Sequence, residues 1–159
     1  MPATPADVPA MVAVALAAYR PYLPRLGGVE PPAMRPDFRS AVAAGLAWAA
    51  RFDPGDGIGG YLLCAVDADP GAGESAGGGA WVIDHVALAP AWQGRGHGRR
   101  LMDFAEDEGR RRGHAEARLL TNLVMTENQA IYAARGYRET GRTTVLGGSQ
   151  TRIHYAKPL

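Results

Sequence analysis

A strand that runs into a glycine-rich turn and then a long helix constrains this chain more than any other feature. Residues 81–88, Trp-Val-Ile-Asp-His-Val-Ala-Leu, are rich in the β-branched and aromatic side chains that suit a pleated, half-buried surface. Pro90 closes the strand, because it has no N–H for a sheet ladder. The turn Gln93-Gly94-Arg95-Gly96-His97-Gly98 follows. From Arg99 to residue 112 there is no proline, and Leu101, Met102, Ala105 and residues 108–109 recur at helical spacing. The first N–H groups of a helix have no intrahelical partner and its dipole favours negative charge there, so such a turn is a ready anion site. Glycines at 94, 96 and 98 let the backbone come close to a bulky phosphate.

The nucleotide motifs with the best-known mechanics do not fit. Gly94, Gly96 and Gly98 lack G-x-G-x-x-G spacing, and a P-loop needs Gly-Lys-Ser/Thr where this chain has one lysine, Lys157, near its end. The 159 residues suffice for one domain with a full core, residues 1–159. A net charge of +1 implies neither a nucleic-acid nor a polyanion partner. The single cysteine, Cys64, cannot form an internal disulfide; it sits in an apolar run and reads as core packing. No apolar run approaches the ~20 residues of a membrane span. The start Met-Pro-Ala-Thr-Pro lacks the basic opening of a signal peptide, so a cytoplasmic protein with no membrane association is expected.

Taken in order, the chain predicts ten elements. Asp7 is a candidate N-cap, followed by an apolar stripe of Val8, Met11, Val12, Ala15, Leu16 and Tyr19 that Pro21 ends. Residues 21–36 hold five prolines and form a connector. A short helix is expected over 36–44, burying Phe38, Ala41 and Val42, then strands over 46–52 and 59–67. Residues 69–79 are low-complexity and predict a flexible hairpin loop. Beyond the central strand, turn and helix come a strand at 117–121, a helix from Glu127 capped by Thr126, and strands at 137–146 and 151–157. The order ααβββαβαββ predicts an α/β (α+β) chain with a mixed sheet and helices on both faces.

The pattern Gln-x-x-Gly-x-Gly after a strand ending Val-Ala-Leu-Ala-Pro resembles the GNAT superfamily of acetyl-CoA-dependent N-acetyltransferases. A second stretch, Asn128-Gln129-Ala130-Ile131-Tyr132 leading to Gly136-Tyr137, resembles that family's Asn…Tyr…Gly-aromatic segment, and the two motifs stand in the family's order. The segment from Leu119 to Arg142 also looks like a small bacterial subgroup of unassigned substrate. The resemblance covers residues 46–137 well and the first 45 residues weakly. It implies a mixed, splayed central sheet of about six to seven strands.

It also implies a set of roles. Acetyl-CoA is the acetyl donor and no metal is expected. Gln93, Gly94, Arg95, Gly96, His97, Gly98 and Arg99 would hold the pyrophosphate, chiefly through backbone N–H groups. Arg95, Arg99 or Arg100 could add charge, or could lie on a solvated helix face paired with Asp103, Glu106 and Asp107. Backbone groups of Val86 and Leu88 would pair with the pantetheine amides in strand fashion. Asn122 and Asn128 would hydrogen-bond the cofactor; their alternatives are a strand-end Asx turn and a plain first-turn residue. Tyr132 is the candidate donor to the leaving sulfur. Asp84 is the first candidate for the base, with His85 and Glu30 behind it. The acceptor, a small-molecule or protein amine, would meet the first helices near Tyr19, Tyr22, Met34 and Arg35. A homodimer through the last strands is an expectation by analogy. The rival reading is a CoA-binding sensor that keeps the fold without turnover.

Overall fold

The structure, a computed structural model, describes residues 1–67 and 79–159. The hairpin loop expected at 69–79 lies, apart from Gly79, outside the described residues. The elements are α1 (Val8–Tyr19), α2 (Phe38–Ala43), β1 (Ala47–Ala50), β2 (Gly60–Asp67), β3 (Ala80–Leu88), α3 (His97–Arg111), β4 (Glu116–Asn122), α4 (Thr126–Ala134), β5 (Arg138–Val145) and β6 (Gln150–Pro158). This is the ααβββαβαββ order expected. The strands hydrogen-bond as a six-stranded mixed sheet in the order β1-β2-β3-β4-β6-β5. The fold is mixed α/β. Among the described residues no helix is long and apolar enough to cross a membrane.

The chain forms two compact units. The first comprises Met1–Ala65 and Ile83–Ala105. Its core gathers Met11, Val14, Ala15 and Ala18 of α1 with Phe38, Ala47, Tyr61, Leu63 and Ala87. Burying a side chain such as Met11 or Leu63 contributes roughly 1.5–3 kcal/mol. The buried face of α1 differs from the stripe expected: Val14 and Ala18 lie on it, whereas Val12, Leu16 and Tyr19 are only partly buried. The helix is apolar on nearly every side, so its periodicity does not single out one face. The cap also differs. Asp7 makes no cap bond to α1; its carboxylate accepts from the backbone N–H and hydroxyl of Thr4, at 2.8 and 2.7 Å, in the short 3-10 turn that leads into the helix. α2 is shorter than expected and starts from Asp37, whose carboxylate accepts from the Ser40 N–H at 3.0 Å. β1 and β2 pair antiparallel with Trp48 opposite Leu62. Residues 60–64 of β2 are all buried, Cys64 among them, which is why they read as a continuous apolar run rather than an alternation.

The second unit comprises Val66–Val82 and Glu106–Leu159. The start of β3 pairs parallel with β4, Trp81 opposite Ala117 and Val82 opposite Arg118. β6 lies between β4 and β5 and is antiparallel to both, with Asn122 opposite Arg152 at the end of β4. Trp81 is fully buried and stacks on His114 at 5.3 Å. α4 begins one residue earlier than expected: Thr126 is its first helical residue, and Met125 occupies the cap without a side-chain bond.

The buried charge of this unit was not legible as such. Glu106 is 4 % exposed and accepts hydrogen bonds from Arg135 Nε at 3.1 Å, Arg135 Nη2 at 2.9 Å, the Tyr137 hydroxyl at 3.2 Å and Lys157 Nζ at 2.7 Å. Burial pushes its pKa up, but the bonds from Lys157 and Arg135 outweigh burial and hold it below the ordinary glutamate value. Glu106 therefore does not belong to a solvated helix face.

Candidate active site

In the first unit the glycine turn is built to expose backbone donors. Gly94 and Gly96 have φ of +72° and +81°, left-handed conformations that a side chain would strain. Between them Arg95 swings outward, and its guanidinium lies over the Trp92 ring, 5.2 Å from the centroid. Gln93 turns back and donates from Nε2 to the Leu88 carbonyl at 3.0 Å, closing the end of β3. α3 starts at His97, and the first bond across the turn is Arg100 N–H to Gly96 C=O at 3.2 Å. The N–H groups just before it point out of the helix end. His97 packs inward: its ring stacks on Phe52 at 4.0 Å and meets Trp92 edge-on at 5.6 Å. The turn thus offers main-chain dipoles over an aromatic base, with Arg99 and Arg100 exposed on the first turn of α3.

On β3 the side chains alternate. Ile83 and Ala87 are buried, Asp84 is exposed, and Val86 and Leu88 are half-buried. Asp84 Oδ2 lies 3.6 Å from His85 Nε2, so the two base candidates on this strand are neighbours. The Asp84 side chain is 52 % exposed, which leaves its carboxylate open to water or a ligand. Tyr61 is fully buried and its hydroxyl has no hydrogen-bond partner among the described residues. Burial first, then the nearby Tyr19 and Asp84, push the Tyr61 pKa well up. Glu30 is occupied on the surface by Arg35 at 3.3 Å. Tyr19 and Tyr22 lie with ring centroids 6.5 Å apart, and Met34 is buried.

In the second unit Tyr132 sits on α4 between two aromatic edges, Tyr137 at 6.0 Å and Tyr155 at 5.8 Å. Tyr137 is itself held by Glu106, so the ring that supports Tyr132 is fixed by the buried charge network. Asn128, one helical turn before Tyr132, donates to the Thr121 hydroxyl at 3.2 Å. Asn122 forms an Asx turn, its Oδ1 accepting from the Val124 N–H at 3.1 Å, and its Nδ2 donates to Gln150 Oε1 at 3.3 Å. Gln150 escaped sequence reasoning. It is 5 % exposed, and the only signal for it was a polar residue opening an otherwise strand-like run. Among the described residues no group of three His, Cys, Asp or Glu side chains could hold a metal ion.

A family profile described as an acetyltransferase (GNAT) domain matches residues 43–139. The chain belongs to the GNAT acetyltransferase family. The match spans the glycine turn and both Asn128 and Tyr132 of this GNAT chain, while α1 and the whole of β6 lie outside it. Solved structures share its fold. One is an acetyltransferase of the GNAT family from Listeria monocytogenes (TM-score 0.73, 15 % identity, covering 100 % of this chain and 93 % of that one). Another is the ribosomal-protein-S18-alanine N-acetyltransferase from Escherichia coli (TM-score 0.69, 18 % identity, 99 % and 91 % covered). A third is a NatC complex bound to Gag peptide and CoA (TM-score 0.68, 18 % identity, 94 % and 91 % covered). No curated protein sequence matches the GNAT chain.

Proposed function

We propose that this GNAT acetyltransferase takes its acetyl group from acetyl-CoA and passes it to a primary amine by direct attack in a ternary complex. The observation that carries the reading is the turn at Gly94 and Gly96, whose left-handed backbone leads directly into the start of α3, where the first N–H groups of a helix have no intrahelical partner. Gly94 to Arg99 supply the donors for the pyrophosphate, and Gln93 fixes where the turn leaves β3. Val86 and Leu88 offer strand-like backbone groups to the pantetheine amides. Asn122 and Asn128 add side-chain amides at the end of β4 and the start of α4.

The reaction joins the amine nitrogen to the acetyl carbon and breaks the carbon–sulfur bond, with the electron pair leaving on sulfur. Tyr132 donates a hydrogen bond to that sulfur as its charge grows. A phenol near pKa ~10 gains little by full transfer to a thiolate whose conjugate acid is near ~8.5, so a strengthening hydrogen bond is the role that suits it. Asp84 takes the amine proton through a water, which its exposed carboxylate allows. The acceptor is a small-molecule or protein amine.

Calorimetric titration with acetyl-CoA, desulfo-CoA, ATP and NAD tests the reading. Micromolar acetyl-CoA and desulfo-CoA binding with no response to ATP or NAD is expected, followed by thiol release with at least one member of an amine panel. Absence of CoA binding would overturn the assignment of the turn and, with it, the roles of Tyr132 and Asp84. Tight binding with no turnover across the panel would favour a CoA-binding module.

A further inference from the structure

We infer that the side-chain amide of Gln150 binds a carbonyl oxygen of the acyl donor's pantetheine arm, an inference that rests on the acetyl-CoA reading above. Gln150 opens β6 and is 5 % exposed. Its Oε1 is used by Asn122, but its Nε2 is buried and has no hydrogen-bond partner among the described residues. The orientation follows from the backbone outward. The Val124 N–H donates to Asn122 Oδ1 at 3.1 Å, so Asn122 must turn its NH2 group toward Gln150. Gln150 must then answer with its oxygen, at 3.3 Å, and its own NH2 group is left over. Flipping the Gln150 amide alone would set one NH2 group against another. Flipping both would lose the bond from Val124.

A buried amide donor without an acceptor is costly, and an apolar side chain of similar length would avoid that cost. Its presence is explained if something brings an acceptor. In the β4–β6 register Asn122 stands opposite Arg152, so Gln150 lies two residues further, past the C-terminal end of β4. Ligands of open α/β sheets collect outside the carboxyl ends of the strands. The side chain that Gln150 meets there is a neutral amide, that of Asn122, while Arg152 stands opposite Asn122 in the register. Neutral amides suit a neutral carbonyl, whereas a phosphate calls for cations or a helix end. The pantetheine arm carries two amide carbonyls.

The turn that delivers Gln150 is tightly specified. Leu146, Gly147 and Gly148 are consecutive left-handed residues with φ of 53°, 63° and 93°. The Ser149 N–H and hydroxyl both donate to the Leu146 carbonyl, at 3.2 and 2.8 Å, and hold the turn closed. An exposed leucine in that conformation is strained, and such strain persists where the surroundings over-determine it.

Two variants separate the donor from its neighbour. Gln150→Glu keeps an oxygen for Asn122 and replaces the free NH2 group by oxygen; Gln150→Met removes the donor without adding charge. Calorimetry would compare acetyl-CoA, desulfo-CoA and adenosine 3′,5′-bisphosphate, which lacks the pantetheine arm, with melting curves to establish that each variant is folded. Both variants are expected to bind acetyl-CoA and desulfo-CoA about tenfold more weakly than the unsubstituted protein, with unchanged affinity for the bisphosphate. Unchanged acetyl-CoA affinity in a folded variant overturns the inference. So does an equal loss for the bisphosphate, which would mean a general structural effect. Failure of the unsubstituted protein to bind acetyl-CoA is a different result, and it would remove the parent reading.

Discussion

Replacing Glu106 by glutamine keeps the shape of the side chain and removes its charge. The carboxylate is 4 % exposed and faces Arg135 and Lys157, whose side chains are 14 % and 21 % exposed, at 2.9 and 2.7 Å. Breaking a buried ion pair from one side costs about 3–5 kcal/mol. Water can still reach part of both cations, and a glutamine oxygen can keep one bond, so about 2–4 kcal/mol is expected. For a domain of this size that is a fall of roughly 5–12 °C in Tm. The pH dependence has a definite sign. The Glu106 pKa is lowered on folding, so its stabilisation is fully present above the unfolded value, ~4.3, and is lost as pH falls through the folded one. Urea melts of both proteins at neutral pH and in a series down to about pH 3 should show a gap that is widest at neutrality and closes in acid. Equal stability at neutral pH would refute the argument, and so would a gap that persists in acid. Because Glu106 holds the Tyr137 hydroxyl, and Tyr137 supports Tyr132, the same change should lower kcat at temperatures where the variant is folded.

Three other outcomes follow from particular contacts. Tyr132→Phe should lower kcat by about a hundredfold while leaving the acetyl-CoA Kd within about twofold; steady-state kinetics beside calorimetry decides it, and an unchanged kcat removes the tyrosine from the reaction. Gly96→Glu places a bulky anion where φ is +81° and a pyrophosphate is expected, so acetyl-CoA binding should vanish while the melting curve stays cooperative; retained affinity would contradict the anion site. Gly109→Ala should destabilise by about 1–3 kcal/mol, since its Cβ would stand 2.6 Å from Trp81 Cδ1 and 2.7 Å from Leu159 Cδ1 and the indole is fully buried. A Tm equal to that of the unsubstituted protein would show that the pocket around Trp81 can yield.

The order of elements could be read from local chemistry because each boundary has a local cause. Pro90 closes β3 by what its own backbone cannot do, whereas at Pro21 the α-helix passes into a 3-10 helix, Arg20–Leu26, with Arg20 still in the helical region; Gly94 and Gly96 mark a turn by what only their backbone does easily. Faces were harder. Val14 and Ala18 could not be assigned to the core of α1, because a helix apolar all round gives no contrast. Glu106 looked like one acid among several on α3. What distinguishes it lies 29 and 51 residues away, in Arg135 and Lys157, and only the folded chain brings them together. Gln150 was invisible for a similar reason, since its orientation depends on a backbone N–H on another segment, that of Val124. The Asx turn at Asn122, by contrast, was legible from the strand-end asparagine alone.

Lys157 gives the buried network a chemical consequence. It is the only side-chain primary amine in the sequence, and its ammonium is held 2.7 Å from Glu106. A protein proposed to acetylate amines therefore exposes scarcely any lysine of its own to compete with an acceptor. Self-acetylation at side chains should be a small background in an assay that counts released thiol. Amine-directed labels and surface-coupling reagents should react sluggishly at this position, and they should find it readily once the carboxylate that detains it has been removed.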